Sequence, residues 1–289
     1  FLSKLYSLEK NVIFYYFIID HQIRSDSKNE ANLVRKKLKK HNIDCKILTW
    51  LKRKNSSNIQ SKARDARYNL IIKEALSKKT KYILTAHHRG DLYENFFIRL
   101  LRGSGLKGLV SFNDLSSKIK KSEDIFILRP FLNIYKKDLL YIVLNTFKFF
   151  VNDPSNNDDI FLRVKIRKLI QNLQNEGLDF KKFKLTLNNL QKSNFTINYF
   201  VKKNIDTNAK FLKNKKGFIL NKSFFNQPDE VIFRSLSQIL NEVGKKKTYT
   251  RGAKITNLIN HINLDRNFKK TNLSGCILEK INNLIIISK

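Results

Sequence analysis

The feature that most constrains the fold is an alternation: from Val12 to Phe147, short apolar runs repeatedly give way to stretches whose apolar residues recur at helical spacing. Phe1 to Ser7 reads as the tail of a helix, and Val12 to Ile19 predicts a buried strand. Ser27 and Glu30 have capping-box spacing, and Ala31, Val34 and Leu38 continue one helical face as far as Asn42. Cys45 to Trp50 predicts a second strand, and after a polar loop Ile59, Ala63, Ala66 and Leu70 share a stripe. Tyr82 to Ala86 predicts a third strand. A helix over Asp91 to Leu101, a glycine turn from Gly103 to Gly108, a strand at Ile125 to Leu128 and a helix over Lys136 to Phe147 follow. Strands and helices alternating at these lengths predict an α/β fold on a doubly wound parallel sheet, because right-handed crossovers place helices on both faces. Such sheets take ligands at the carboxyl ends of their strands. Asp20 and His21 end the first strand, the 51–58 loop ends the second, and His87 and His88 end the third.

The alternation stops near Asn152. Helical segments from about 160 to 205, a mixed stretch, and a helix opening at Pro228 and closing near Gly244 come next. Ile277 to Lys289 reads as two short strands turning at Asn282 and Asn283. The expected organisation is an α/β catalytic domain over 1–155 and a smaller, mainly helical domain over 156–289 that ends in a short hairpin.

Charge narrows the partner. Lys and Arg number 57 against 24 Asp and Glu, a formal net charge of +33, which surrounds the chain with a field suited to a polyanion. Codon usage in an AT-rich genome explains part of the lysine excess but not the shortage of carboxylates, so RNA is the favoured partner. The longest apolar run, Val12 to Ile19, is far short of the about 20 residues that span a bilayer, so no membrane is expected. Cys45 and Cys276 stand alone, with no disulfide framework and no Cys-x-x-Cys pair, which points to the reducing cytoplasm.

The segment from Thr85 to Asn95 carries the most chemistry. Asp91 and Glu94 lie three apart in the first turn of a helix, hence on one face. Such a pair can hold Mg²⁺ through oxygen ligands while the helix start faces nucleotide phosphate; the plainer alternative is ordinary capping. His88 is a candidate acid/base or phosphate contact, and Arg64 and Arg67 can reach phosphate from their helix. Arg102 with Gly103 and Gly105 suits either an RNA backbone or a helix C-cap.

Taken in order, these motifs resemble those of the tRNA(Ile)-lysidine synthetases, members of the PP-loop ATP pyrophosphatase superfamily. Ile19-Asp20-His21-Gln22-Ile23-Arg24 is similar to the family's histidine-bearing segment, and Ile59 to Tyr68 to its arginine-rich helix. Thr85 to Glu94 resembles TAHHxxDxxE, and Arg102 to Leu109 resembles RGSGLxGL. Arg129-Pro130-Phe131-Leu132 resembles RPLL, and Asp153-Pro154-Ser155-Asn156 the DxSN element, with Phe161, Arg163 and Arg167 after it. Thr271 to Cys276 is a weaker match to the family's second domain. There are two departures. The family's SGGxDS phosphate loop has no counterpart here, and the chain starts in the helix that would follow it, so a segment upstream of Phe1 is expected to carry it; without that loop the chain as given is not expected to turn over ATP. Gly90 also stands where an acidic or polar residue is usual.

The resemblance implies a ligase that uses ATP and Mg²⁺ to join free L-lysine to C2 of the wobble cytidine of tRNA(Ile) with a CAU anticodon, through an adenylated intermediate. It implies catalysis by Asp91, Glu94 and His88, with Asp91 and Glu94 as metal ligands. ATP binding falls to Asp20, His21, Arg64, Arg67 and His87. Contact with tRNA falls to Arg102, Gly103, Gly105, Lys107, Arg163 and Arg167, and the domain over 156–289 is expected to bind tRNA or to link. Two alternatives stay open: an RNA-binding protein that has lost its active site, and a tRNA-thiolating PP-loop enzyme, which the lack of paired cysteines disfavours. The sequence leaves open whether the protein forms a homodimer.

Overall fold

The computed structural model describes residues 1–50, 59–112, 116–118, 125–152, 162–212, 216–245, 250–265 and 268–289, with 59–61 and 116–118 as backbone. Contacts group the chain into two units, 1–183 and 184–289.

The first unit opens with α1 (Leu2–Lys10), which stops at Asn11 in the left-handed region. β1 (Tyr16–Asp20) and β2 (Cys45–Thr49) are parallel, with Tyr16 opposite Cys45 and Asp20 opposite Thr49. The crossover helix α2 (Ser27–Lys39) packs on both strands, burying Ala31 near Cys45 and Leu48. α3 (Ile59–Ser77) leads to β3 (Tyr82–Leu84), and Ala75, Ile83 and Ile125 form the core between them. α4 (Arg89–Leu101), the one-turn α5 (Leu106–Leu109) and β4 (Ser116–Lys118) precede β5 (Phe126–Leu128). β5 pairs parallel with β3 and antiparallel with β4. α6 (Lys136–Phe147) and α7 (Leu162–Asn175) complete the unit, with α7 lying along α4.

The α/β class and the parallel β-α-β winding match expectation, and two details differ. The parallel strands form two pieces, β1–β2 and β3–β5; among the described residues no strand joins β1 to β3, and Tyr82 on β3 is 58% exposed. Ser27 and Glu30 form no capping box. Glu30 instead pairs with the Arg24 guanidinium at 2.7 Å and the Ser27 hydroxyl donates to the Arg24 carbonyl, because a charged donor outcompetes a neutral backbone N–H for the carboxylate. The 51–58 loop, Asp153 to Asn156 and Phe161 lie outside the described residues.

In the second unit α8 (Phe180–Asn208), which starts just before the boundary, is followed by β6 (Ala209–Leu212) and β7 (Gly217–Leu220). After a 3₁₀ turn at Lys222–Phe225 come α9 (Asp229–Gly244), α10 (Gly252–Leu264), β8 (Lys270–Leu273), β9 (Cys276–Ile281) and β10 (Leu284–Ser288). The strands form one antiparallel sheet in the order β6-β7-β10-β9-β8, and Leu220, Leu278 and Ile287 pack with Leu236 and Ile239 of α9 and Ile255 of α10. The hairpin turns at Asn282 with φ 53°, as its Asn pair predicts. The unit is thus richer in strand than the expected helical domain, because four-residue segments such as Lys270–Leu273 are too short to declare a period of two. The boundary also falls at 183/184 rather than 155/156. α7 buries Val164, Ile166 and Ile170 within the first unit, and Phe183 stacks on Tyr93 at 4.2 Å, so the end of the alternation is not the end of the packing. Among the described residues no helix is long and apolar enough to cross a membrane.

Candidate active site

The chain leaves β3 as Thr85, whose N–H continues the ladder by donating to the Leu128 carbonyl, and a bridge from His88 to Phe131 extends the strand path to the start of α4. His88 is the N-cap. Its Nδ1 accepts from the Gly90 N–H at 3.0 Å, while the Asp91 carboxylate accepts from the His88 N–H at 2.9 Å, a reciprocal capping box. Gly90 makes this possible: a Cβ there would lie 2.8 Å from His88 Cε1 and displace the ring. The departure at Gly90 therefore belongs to the cap that His88 and Asp91 form.

One turn on, Glu94 is 4% exposed. Its Oε1 accepts from Arg167 Nε at 2.6 Å, and Arg163 Nε lies 3.8 Å from Oε2, an atom that makes no hydrogen bond. The Asp91 carboxylate accepts from the helix start, and two guanidiniums lie beside Glu94, which disfavours further positive charge there. Among the described residues no group of three or more His, Cys, Asp or Glu could hold a metal ion. Arg163 and Arg167, expected at RNA, both lie beside this carboxylate, whose burial calls for charged partners.

The residues expected at nucleotide share one electrostatic neighbourhood. Asp20 is buried at the end of β1, its carboxylate accepting from the Gln22 N–H at 2.9 Å. Burial lowers the pKa of His21, Arg67 lowers it further and Asp20 opposes them. Arg67 is lowered first by its withdrawal from water and also by Arg64 and Arg163. His87 accepts or donates to the Thr85 hydroxyl at 2.8 Å and meets the Phe112 ring edge-on. Its pKa falls to about 4, chiefly through burial, with Asp91 opposing and Arg129, Arg64 and Arg163 adding to the fall. Arg99 is lowered by burial and then by Arg64 and Arg102. Guanidiniums from α3, α4, β5's end and α7 thus act on one another at the carboxyl ends of β1 and β3, where they outnumber the carboxylates. Such an assembly attracts anions.

Arg102, Gly103 and Gly105 close α4. Gly103, at φ 63°, is the left-handed residue of a Schellman motif in which Gly103 N–H donates to Leu100 and Ser104 N–H to Arg99. The Arg102 and Lys107 side chains reach solvent.

Sequence reasoning gave no role to three arginines. Arg89 has its guanidinium carbon 3.6 Å from the Tyr135 ring centroid and 3.7 Å from that of Phe180, and Nη2 donates to the Asn133 carbonyl at 3.0 Å. With Gly90, Tyr93, Glu94, Tyr135 and Arg167 it lines a cavity of about 290 Å³. Arg129 is buried with its guanidinium over Phe112 at 4.7 Å, and Arg99 donates to Asn95 at 2.7 Å. Arg129 stands inside a recognisable motif; for Arg89 and Arg99 no sequence signal exists, since each is defined by what folds against it.

Residues 2–173 match the PP-loop domain family. Among curated relatives, the tRNA(Ile)-lysidine synthase of Orientia tsutsugamushi is 33% identical over 277 residues, covering 93% of this chain and 61% of the relative. The enzyme of the same name from Rickettsia felis is 30% identical, covering 99% and 65%, and that of Anaplasma marginale 29%, covering 90% and 55%. The chain thus spans roughly three fifths of the length of these relatives. Among solved structures, the U34-tRNA thiolase NcsA from Methanococcus maripaludis with its [4Fe-4S] cluster superposes with a TM-score of 0.52 at 14% identity, covering 66% of each chain, a likeness of fold alone. With its strand-end arginines and a match over more than half its length, this chain belongs to the PP-loop domain family.

Proposed function

We propose that the chain is the ATP-using part of a tRNA(Ile)-lysidine synthase, joining free lysine to C2 of the wobble cytidine of an isoleucine tRNA with a CAU anticodon. The cytidine O2 attacks the α-phosphate of ATP and pyrophosphate leaves; the lysine side-chain amine then attacks C2 and AMP departs. The observation that carries the reading is the shared field of Arg64, Arg129 and Arg163 around His87, with Arg67 acting on His21 and itself within reach of Arg64 and Arg163, which suits the phosphates of ATP and the departing anions. Asp20 and His21 border that field from β1. Mg²⁺ enters with the ATP phosphates rather than on Asp91 and Glu94, in keeping with that ion's habit of binding through substrate oxygens.

The cavity beside Glu94 receives the lysine. At about 290 Å³ it is at the small end of ligand pockets, sized for an amino acid and not for a nucleotide. Glu94 Oε2 is the acceptor for the amine, and the Arg89 guanidinium, held over the Tyr135 and Phe180 rings, is the partner for the carboxylate. A free lysine amine titrates near 10.4, so only about one in a few thousand is neutral at pH 7. Guanidiniums beside Glu94 disfavour a further positive charge, and so favour the neutral, nucleophilic amine. His88 and Asp91 position α4, whose first turn carries Glu94. Arg102 and Lys107, with Gly103 and Gly105 setting the turn between them, supply contacts to the tRNA backbone.

The reading is disfavoured for thiolation because a cluster of the [4Fe–4S] type takes several thiolates, whereas this chain has Cys45 and Cys276, both buried. Glu94→Gln tests the assignment. Labelled-lysine transfer should fall at least 100-fold while filter binding of the tRNA changes less than about threefold; equal loss of both would remove Glu94 from the lysine site.

A further inference from the structure

Within the second unit the inner stripe of α8 buries Leu187 and Val201 and also meets α9 through hydrogen bonds: Arg234 Nη1 donates to Asn194 at 2.6 Å and Asn198 at 3.1 Å, and Asn204 Nδ2 donates to the Ser235 hydroxyl at 3.2 Å. The opposite stripe, Leu185, Lys192, Phe195, Tyr199, Lys202 and Lys203, recurs at helical spacing and faces water. Phe195 is 75% exposed and Tyr199 and Leu185 are each 60% exposed. From Lys184 to Asn208 the sole carboxylate is Asp206. Leu185, Asn188, Gln191 and Phe195 rim a shallow groove on this face.

We propose that this outer face of α8 is an RNA-contact surface, on which unstacked bases lie against Phe195 and Tyr199 while Lys192, Lys202 and Lys203 neutralise the adjoining phosphates. Aromatic rings set among lysines are the chemistry that takes single-stranded or splayed nucleotides. The two rings stand one turn apart, about 6 Å along the axis, which gives each ring room for its own base. Charge complementarity selects RNA over a second copy: at a net charge of +33 a symmetric dimer through this face would set lysines against lysines. The proposal rests on the reading above in that its partner is RNA, but it concerns a surface distinct from the residues assigned to chemistry.

The test uses the full chain, a transcript of the isoleucine tRNA and an unrelated structured RNA of equal length, titrated by filter binding across a range of salt. Phe195→Ala with Tyr199→Ala should weaken binding about 10-fold or more at every salt concentration without changing the log–log slope. Lys192→Gln with Lys202→Gln and Lys203→Gln should flatten the slope by about two units. All five positions are exposed, so circular dichroism and the unfolding midpoint should stay unchanged. If neither transcript binds the unsubstituted chain, the RNA reading itself fails. Tight binding that is indifferent to both sets overturns the α8 face alone, as does concentration-dependent self-association that disappears with the aromatic substitutions while RNA affinity is kept.

Discussion

His87 shows how far a neighbourhood can override a residue type. An ordinary histidine is half-charged near pH 6.5, but burial, helped by Arg129, Arg64 and Arg163, holds this one neutral down to about pH 4. Its folded pKa lies below the unfolded value, so its contribution to stability is complete above about pH 6.5 and is lost as pH falls towards 4. With partial exposure the loss should be on the order of 1–2 kcal/mol. Histidine NMR titration should show the His87 resonance unshifted until pH 5 or below, and His87→Gln should flatten the stability profile across that window. A His87 midpoint near 6.5 would mean that the guanidiniums do not crowd it. At this scale the sequence showed which residues gather at the strand ends but not what each does there. His88 and Asp91 resemble catalytic groups in the sequence, and the capping box they form was not legible there, because it depends on the His88 ring lying over Gly90 and on the direction of the Asp91 carboxylate. Arg89 was invisible because its role depends on Tyr135 and Phe180, distant in sequence.

Among the elements, α4 is fixed at both ends by local chemistry, and its C-terminus gives a clean comparison between neighbouring glycines. Gly103 sits at φ 63°, where a side chain is strained, whereas Gly105 has φ −66° and open space around its missing Cβ. Gly103→Ala should cost about 1 kcal/mol in urea unfolding and Gly105→Ala close to nothing. Equal effects would mean that the Schellman turn does not hold α4. Long amphipathic elements were readable: α6 occupies Lys136–Phe147 as its spacing predicts, and the β9–β10 hairpin turns where the Asn pair says it should. Sheet continuity was not readable, because which strand neighbours which is decided by crossover paths. Hence one expected sheet is two parallel pieces here, and short β6, β7 and β8 were missed.

For the whole molecule, charge is both the simplest signal and the most consequential. A net +33 gives long-range attraction for any polyanion, yet only residues in contact with phosphate change the salt dependence of binding. Arg102→Gln and Lys107→Gln should each lower the log–log slope of tRNA affinity against salt by about one unit, and an unchanged slope would remove that residue from the interface. The central claim is chemical, and mass spectrometry of nucleosides tests it most directly. Isoleucine tRNA incubated with ATP, lysine and the protein supplied with an SGGxDS phosphate loop ahead of Phe1 should yield a cytidine heavier by one lysine residue, with one AMP released for each. A nucleoside carrying sulfur in place of oxygen, or AMP released with the cytidine unchanged, would contradict it.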